Sequence, residues 1–276
     1  MTWLPYLAGA AAIAGALLLL VWKAELRLRW ALPWALLIAP CCLWLARRLS
    51  LVILGVPFGF QVLAGFVLAL AASVFTVLLL FFRDPHRTPP QEPGTILSPA
   101  DGKIIYIKAL DNDTFPIAVK KGKDIPLEEF TGEEIGFGAG IQIGIMMSYL
   151  DVHVNRAPIA GTVERLRRIP GSFLSLKHMD SLLENERVFS IIRGPEDWVG
   201  IVQIASRMVR RIVPFIKEGE DVRQGDRIGA IRFGSQVDIL MPNRDDIIVQ
   251  ARVGDYVKAG LSVLAKHKSP SRAQSV

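Results

Sequence analysis

Three long runs without a charged residue occupy the N-terminal third of the chain and limit what it can fold into. The runs cover residues 3–22, 30–46 and 51–82. An apolar run of about 20 residues is long enough for a helix to cross the hydrocarbon core of a bilayer. The middle run is marginal in length and holds Pro33 and Pro40, so it either crosses as a third helix or lies re-entrant or interfacial. We therefore predict a membrane anchor over residues 1–82 with two to three transmembrane helices.

The basic residues that flank these runs indicate an orientation. The first run lacks a basic start and is followed by more apolar runs, so we interpret it as retained and not as a cleaved signal. With three helices, Lys23 and Arg83 fall on the same side, which the preference of basic loops for the cytoplasm makes cytoplasmic. Arg47 and Arg48 would lie outside, against that preference. We expect a protein of the cell membrane with a cytoplasmic C-terminal domain.

The charge balance gives no case for a nucleic-acid partner. The chain has 276 residues and a net charge of +6 from 32 basic and 26 acidic residues. Five basic residues and one acidic residue precede position 83, so the remainder carries 27 and 25, a net charge of +2. The binding of nucleic acid relies on a much larger basic excess. Cys41 and Cys42, adjacent in an apolar run, predict neither a disulfide framework nor a metal site.

The rest of the chain has the pattern of a β domain. A proline-rich linker over residues 83–94 is followed by a mostly β (α+β) domain over residues 95–276. Four apolar runs bounded by turn signals predict strands at 102–110, 140–148, 247–253 and 261–265. One helix is predicted over 173–188, behind Gly171-Ser172.

A weak internal repeat refines this prediction. GEDVRQGDRIG (219–229) and GDYVKAGLSVL (254–264) share the pattern Gly-x-x-Val-x-x-Gly. Each copy pairs a turn glycine with an inward valine, which indicates a compact β sandwich or barrel with lipoyl-like hairpin turns. Lipoyl and biotinyl carriers display a lysine on a tight hairpin between two such turns, whereas this chain has Gly234-Ser235 there. The pattern therefore predicts a carrier-like architecture without the cargo site.

Gly234-Ser235 is a place where a chain can cut itself. The serine hydroxyl can attack the preceding carbonyl, and glycine tolerates the backbone geometry that this attack needs. If the resulting ester eliminates, the serine becomes dehydroalanine and then an N-terminal pyruvoyl ketone. Most Gly-Ser pairs beside strands are ordinary turns, so the dipeptide alone does not decide the question.

Six segments in order resemble the phosphatidylserine decarboxylase proenzymes, most closely the shorter type found in many bacteria and archaea. The segments are FFRDPHRTPP (81–90), LSPADGKI (97–104), YLDVHVNRAPIAGTV (149–163), GSFLSLKHMDSLLENERV (171–188), IVQIASRMVRRIV (201–213) and RFGSQVDILMP (232–242). The resemblance covers residues 80–266. It implies decarboxylation of phosphatidylserine to phosphatidylethanolamine, a step of phospholipid biosynthesis.

The resemblance also implies the site. Cleavage between Gly234 and Ser235 would give a β chain, 1–234, and an α chain, 235–276, that begins with a pyruvoyl cofactor derived from Ser235. His153 matches the family's processing histidine and Asp101 its processing aspartate. With Ser235 they would form a serine-protease-like triad, in which the imidazole takes the hydroxyl proton and the aspartate holds the imidazole's tautomer. No metal is implied.

Several alternatives stay open from the sequence. Archaetidylserine, with isoprenoid ether chains, carries the same headgroup, so the same chemistry would serve it. A non-catalytic membrane-tethered adaptor with lipoyl-like hairpins is a second class, and it predicts one intact chain. As partners we expect the serine phospholipid, the protein's own cleaved chains, and further copies in a homo-oligomer.

Overall fold

The computed structural model describes nine stretches of the chain. These are residues 4–23, 28–52, 57–110, 114–120, 123–126, 139–171, 185–205, 212–231 and 235–268. The chain divides into two compact units, Met1–Leu80 and Phe81–Val276.

The first unit consists of apolar helices. They are α1 (Leu4–Lys23), α2 (Leu28–Val52) and α3 (Phe58–Phe81), the last residue of which belongs to the second unit. Among the described residues, α3 and the Leu32–Leu49 part of α2 are long and apolar enough to cross a membrane, while the apolar part of α1, Leu4–Leu20, is shorter. The middle apolar run is one continuous helix that includes both prolines.

The described part of the second unit is mostly strand. The strands are β1 (Thr95–Leu97), β2 (Gly102–Leu110), β3 (Thr114–Lys120), β4 (Lys123–Pro126), β5 (Gly140–Met147), β6 (Val154–Arg156), β7 (Gly161–Ile169), β8 (Arg187–Arg193), β9 (Trp198–Ala205), β10 (Ile212–Pro214), β11 (Asp221–Val222), β12 (Arg227–Ile231), β13 (Ser235–Pro242), β14 (Ile247–Val249), β15 (Tyr256–Val257) and β16 (Val263–His267). The prediction of a mostly β domain is confirmed.

The strands form one large antiparallel sheet and three small ones. The large sheet has the order β11-β7-β8-β9-β13-β5-β2-β15. The small sheets are β1-β16-β14, β10-β12-β6 and β3-β4. Apolar side chains on one face of the large sheet form the main core, with Ile145, Val237 and Ile201 fully buried on three neighbouring strands. The strand that begins at Ser235 therefore lies in the middle of the large sheet.

The predicted elements agree with the structure in the strands and differ at the helix. β2 has the predicted bounds, and β5 ends one residue earlier than expected. β14 stops at Val249, four residues before the predicted end, because the next two N–H groups, of Gln250 and Ala251, both donate to Leu264 O and the regular ladder ends. Most of the predicted helix, residues 173–184, lies outside the described residues. Its C-terminal end is wrong: Arg187 and Val188 begin β8, a strand buried along nearly its whole length.

The internal repeat corresponds to equivalent turns at the two edges of the large sheet. Its four glycines all have positive φ, from +67° to +98°, and its two valines are buried. The residues are Gly219, Val222 and Gly225 in the first copy and Gly254, Val257 and Gly260 in the second. Val222 lies on edge strand β11 and Val257 on edge strand β15.

Equivalent hydrogen bonds surround both copies of the repeat, so the two halves of the large sheet have the same arrangement. The large sheet divides between β9 and β13 into two halves of four strands. Each strand of one half has a counterpart in the other: β9 with β13, β8 with β5, β7 with β2, and β11 with β15. The matched bonds are Gly254 N–H to Ile104 O (2.8 Å) with Gly219 N–H to Val163 O (2.8 Å), Gly260 N–H to Ser98 O (2.8 Å) with Gly225 N–H to Ala157 O (2.9 Å), and Leu97 N–H to Pro158 O (3.0 Å) with Arg156 N–H to Pro99 O (2.9 Å). The last pair is reciprocal, as a two-fold relation requires.

Candidate active site

Two backbone pairings bring the predicted histidine to the cleavage segment. His153 directly precedes β6, and its carbonyl accepts a hydrogen bond from Ile231 N–H (3.1 Å), at the end of β12. Ser235 follows Ile231 by four residues and pairs with Met147 of β5, six residues before His153. Four residues span at most about 14 Å. The backbone of His153 is therefore bonded to the strand that ends four residues before Ser235.

The imidazole of His153 is buried, and one of its two ring nitrogens has a hydrogen-bond partner among the described residues. It is 2% exposed, and its Nδ1 lies 2.8 Å from the backbone oxygen of Asp151. Because a carbonyl can only accept, Nδ1 carries the hydrogen. Nε2 has no hydrogen-bond partner among the described residues. The arrangement leaves a lone pair on Nε2, as a general base requires.

The environment of His153 keeps it neutral. Burial lowers the pKa of His153 to about 4, because an apolar setting disfavours the charged ring. The Asp151 carbonyl and the charges of Asp151 and Asp101 act in the opposite direction, while Arg83 reinforces the lowering. At neutral pH the ring is thus unprotonated and ready to accept a proton.

Asp101 is buried in an ion pair. Arg87 contacts both carboxylate oxygens, Nη1–Oδ1 at 2.5 Å and Nη2–Oδ2 at 2.8 Å, and Ala259 N–H donates to Oδ1 at 2.8 Å. Asp101 therefore makes no hydrogen bond to His153, whose tautomer is held by the Asp151 carbonyl. Its charge still reaches the imidazole electrostatically. This differs from the expected triad, where the aspartate contacts the ring directly.

Ser235 is the first residue of β13, so it lies at one end of a central strand of the large sheet. Its backbone pairs with Met147 of β5 and Ala205 of β9. Ala205 is in turn held by the Asn185–Glu186 segment: its N–H donates to Glu186 O (3.0 Å), and its carbonyl accepts from Asn185 Nδ2 (2.9 Å). Gly234 and the side chain of Ser235 lie outside what the structure describes.

Sequence reasoning missed three residues that build the site. Asp151 supplies the carbonyl for His153, and its own carboxylate accepts bonds from Ser148 N–H (2.7 Å) and Tyr256 O–H. Arg87 was assigned to the linker. Both belong to segments that carry the resemblance, so the signal was present. The hydroxyl of Tyr256 gave none, because only the fold brings it to Asp151.

The other histidines are placed elsewhere. His86 is exposed, and His178 lies outside the described residues. His267 contacts Asp197 (2.9 Å) and Asp246 (3.3 Å). In the part of the chain that the structure describes, no group of three or more histidine, cysteine or acidic residues is arranged to hold a metal ion.

Comparison with known proteins identifies the family. The family model described as phosphatidylserine decarboxylase matches residues 74–265. The phosphatidylserine decarboxylase proenzyme of Azorhizobium caulinodans is 38% identical over 207 residues, 75% of this chain and 80% of the relative. The corresponding protein of Chlorobium limicola is 38% identical over 72% of this chain and 84% of its own. The putative archaetidylserine decarboxylase proenzyme of Methanothermobacter thermautotrophicus is 40% identical over 72% and 85%.

The family match over residues 74–265 includes every segment that builds the site around His153. The chain therefore belongs to the phosphatidylserine decarboxylase family.

Proposed function

We propose that this protein decarboxylates phosphatidylserine to phosphatidylethanolamine, after cutting itself between Gly234 and Ser235. The observation that carries the proposal is the neutral, buried His153, whose Nε2 has no partner among the described residues and whose backbone is bonded to the strand that ends four residues before Ser235. A base with this exposure and tautomer suits both removal of a hydroxyl proton and return of a proton to carbon.

In self-processing, His153 would take the proton of the Ser235 hydroxyl as its oxygen attacks the carbonyl carbon of Gly234. The peptide C–N bond breaks and the proton passes to the freed amine, after which β-elimination releases the Gly234 carboxylate and leaves dehydroalanine. Hydrolysis of its imine tautomer releases ammonia and leaves the pyruvoyl ketone. The carboxylate of Asp101, held in place by Arg87, favours the transient imidazolium electrostatically. Asp151 keeps the ring in the tautomer that exposes Nε2.

The residues present fit a pyruvoyl group at position 235. The backbone there is paired on both sides, to Met147 and Ala205, so a new chain terminus would stay anchored at the sheet end. Such a group would supply the electrophilic carbonyl and the electron sink that decarboxylation of a serine headgroup needs. His153 is our candidate for returning a proton to the substrate carbon.

The membrane anchor is consistent with a phospholipid substrate. The acyl chains of a phospholipid stay in the bilayer, so the site must meet the headgroup at the membrane surface. We propose residues 1–82 as the anchor, 83–94 as the linker and 95–276 as the catalytic domain, cytoplasmic and homo-oligomeric. Archaetidylserine is the alternative substrate, favoured by the name of the archaeal relative; assays with both lipids decide between them.

Mass spectrometry of the denatured protein tests the proposal. The wild type should give two fragments, the smaller one the 42 residues from position 235 onward with a blocked terminus. Ser235→Ala should stay intact, and Ser190→Ala, which removes a buried serine of β8, should be cut like the wild type. An uncut wild type would leave the lipoyl-like adaptor as the better interpretation, and cutting of Ser235→Ala would refute the site.

A further inference from the structure

The segment that leaves α3 contacts the site at three points. Phe81, the last residue of α3, lies against His153 with 4.0 Å between ring centroids and 33° between ring planes. Arg83 Nη2 donates to Leu150 O at 2.7 Å, three residues before His153. Arg87 holds Asp101, as described above. What the sequence indicated as a membrane anchor and linker therefore supplies side chains to the reaction site.

We propose that Phe81 is a positioning residue for His153: its ring closes one face of the imidazole against water and fixes the plane in which Nε2 acts. The inference rests on the proposed function. Phe81 is itself 2% exposed, so the two rings exclude water from each other. A phenylalanine can neither donate to Nε2 nor accept from it, so the lone pair stays available for the reaction.

The charges around the ring favour different protonation states, and burial decides the balance. An imidazolium over an aromatic face gains cation–π attraction, and the carboxylates of Asp151 and Asp101 also favour protonation. Arg83 opposes it. Loss of hydration outweighs all of these, and Phe81 is an apolar surface in direct contact with the ring. Truncating Phe81 removes that cover without touching any charge.

Phe81 also lies where the proposed anchor helix meets the β domain. It ends a 24-residue apolar helix and begins the β domain in the same residue. The last residue of the proposed anchor helix thus covers the imidazole of His153, in addition to the helix holding the protein at the lipid. A change at this one position should alter the reaction even when the protein remains in the membrane.

Two measurements on the full chain in detergent test the inference. The first labels His153 with diethyl pyrocarbonate, which reacts with an unprotonated ring nitrogen, in the uncut Ser235→Ala background, with peptide mass spectrometry as readout. Phe81→Ala should label His153 at least about ten-fold faster and with a midpoint about one pH unit or more higher, because water reaches the ring. Phe81→Leu should stay near the parent, and Phe75→Ala, which truncates an exposed phenylalanine of α3, should match it.

The second measurement is the pH profile of self-cleavage in newly synthesised protein, the step in which His153 acts as the base. The acidic limb should move to higher pH in Phe81→Ala by the same shift as the labelling midpoint, and not in Phe81→Leu or Phe75→Ala. Unchanged labelling in Phe81→Ala would overturn the inference, as would faster labelling with an unmoved acidic limb. An uncut wild type would defeat the proposed function instead, and the labelling experiment would still report on Phe81.

Discussion

Arg87 and Asp101 form an ion pair whose side chains are each only 6% exposed. A buried pair is weak evidence for stability as a whole, but removing one partner leaves an uncompensated charge in the interior. Asp101 depends on Arg87 for two of its three hydrogen bonds. The pair therefore fixes the turn that precedes β2 and, with it, the charge that acts on His153.

Removing the guanidinium should destabilise the domain strongly. We expect Arg87→Gln to lower the free energy of unfolding by about 3–5 kcal/mol, the usual cost of breaking a buried ion pair. Arg223→Gln is the matched control, because Arg223 is 90% exposed in its pair with Asp226 and such pairs contribute about 0–1 kcal/mol. Thermal unfolding in detergent measures both. Equal shifts in the two variants would show that burial does not govern the pair.

Gly102 follows Asp101 and has no room for a side chain. Its φ is +153°, and a Cβ built there would lie 2.3 Å from the carbonyl oxygen of Met146, a backbone atom that cannot move aside. Gly219 also has positive φ, +80°, but nothing lies within 4 Å of its Cβ position.

Alanine at these two glycines separates crowding from backbone strain. Gly219→Ala should cost about 1–2 kcal/mol, the strain of a left-handed residue. Gly102→Ala adds a clash with the neighbouring strand and should cost at least 2 kcal/mol more, roughly the upper end for overpacking. The difference in melting temperature between the variants is the readout. A Gly102→Ala protein as stable as Gly219→Ala would contradict the geometry.

At the level of the elements, β13 carries a buried polar cluster on the side of the sheet away from the main core. Asp238 is fully buried and accepts from Tyr106 O–H (2.7 Å), Gln142 Nε2 (2.5 Å) and Gln236 Nε2 (2.8 Å). Burial raises the pKa of Asp238 to about 6, while these bonds lower it. Gly144 makes room for the cluster, since a Cβ there would lie 2.3 Å from the Tyr106 ring.

The cluster makes stability depend on pH with a defined sign. The folded pKa of Asp238 lies above its ordinary value of 3.8, so its contribution favours folding at low pH and is lost as the pH rises through about 6. Tyr106→Phe removes a donor to the charged form. The variant should lose about 1.5–3 kcal/mol at pH 8, where Asp238 is charged, and clearly less at pH 5.

Comparing each variant with the wild type at the same pH cancels the contribution of His153, which has the opposite sign. Thr162→Val serves as the control, because it removes a hydroxyl–carboxylate bond to the exposed Asp221. It should cost little at either pH. A loss in Tyr106→Phe that is equal at pH 5 and pH 8 would contradict a charged Asp238.

What the sequence could predict depended on whether the signal was local. The bounds of β2 and the positive-φ glycines of both repeats follow from alternation and turn chemistry, which act within a few residues. The helix prediction failed at Arg187 because burial in a sheet overrides local helical periodicity. The residues Ser235, His153 and Asp101 came from family segments, whereas the roles of Arg87, Tyr256 and Phe81 depend on contacts between residues 14 to 105 positions apart.

For the molecule as a whole, the position of β13 has a consequence for the cut protein. The proposed cleavage would make β13 the first strand of the α chain, yet it pairs with β5 on one side and β9 on the other. β15 and β16, also in the α chain, pair with β2 and β1. The α chain would therefore contribute strands to the large sheet and to the sheet β1-β16-β14.

The two chains should not separate under native conditions. We expect them to co-elute in size-exclusion chromatography at the same volume as uncut Ser235→Ala, and to part only in denaturant. The reason is that releasing the α chain would strip two flanking strands of their hydrogen bonds and expose Val237 and Ile239. Elution of a free 42-residue fragment from folded protein would contradict this arrangement.

Because the two halves of the large sheet have equivalent hydrogen bonds, each proposed site residue has a counterpart in the other half. Following those bonds across the two-fold relation, the counterparts of Asp101, His153 and Ser235 are Ala160, Gly94 and Asp197. The half of the sheet that carries the proposed site is thus related by a two-fold rotation to a half whose equivalent strand end holds the Asp197–Arg244–His267 network.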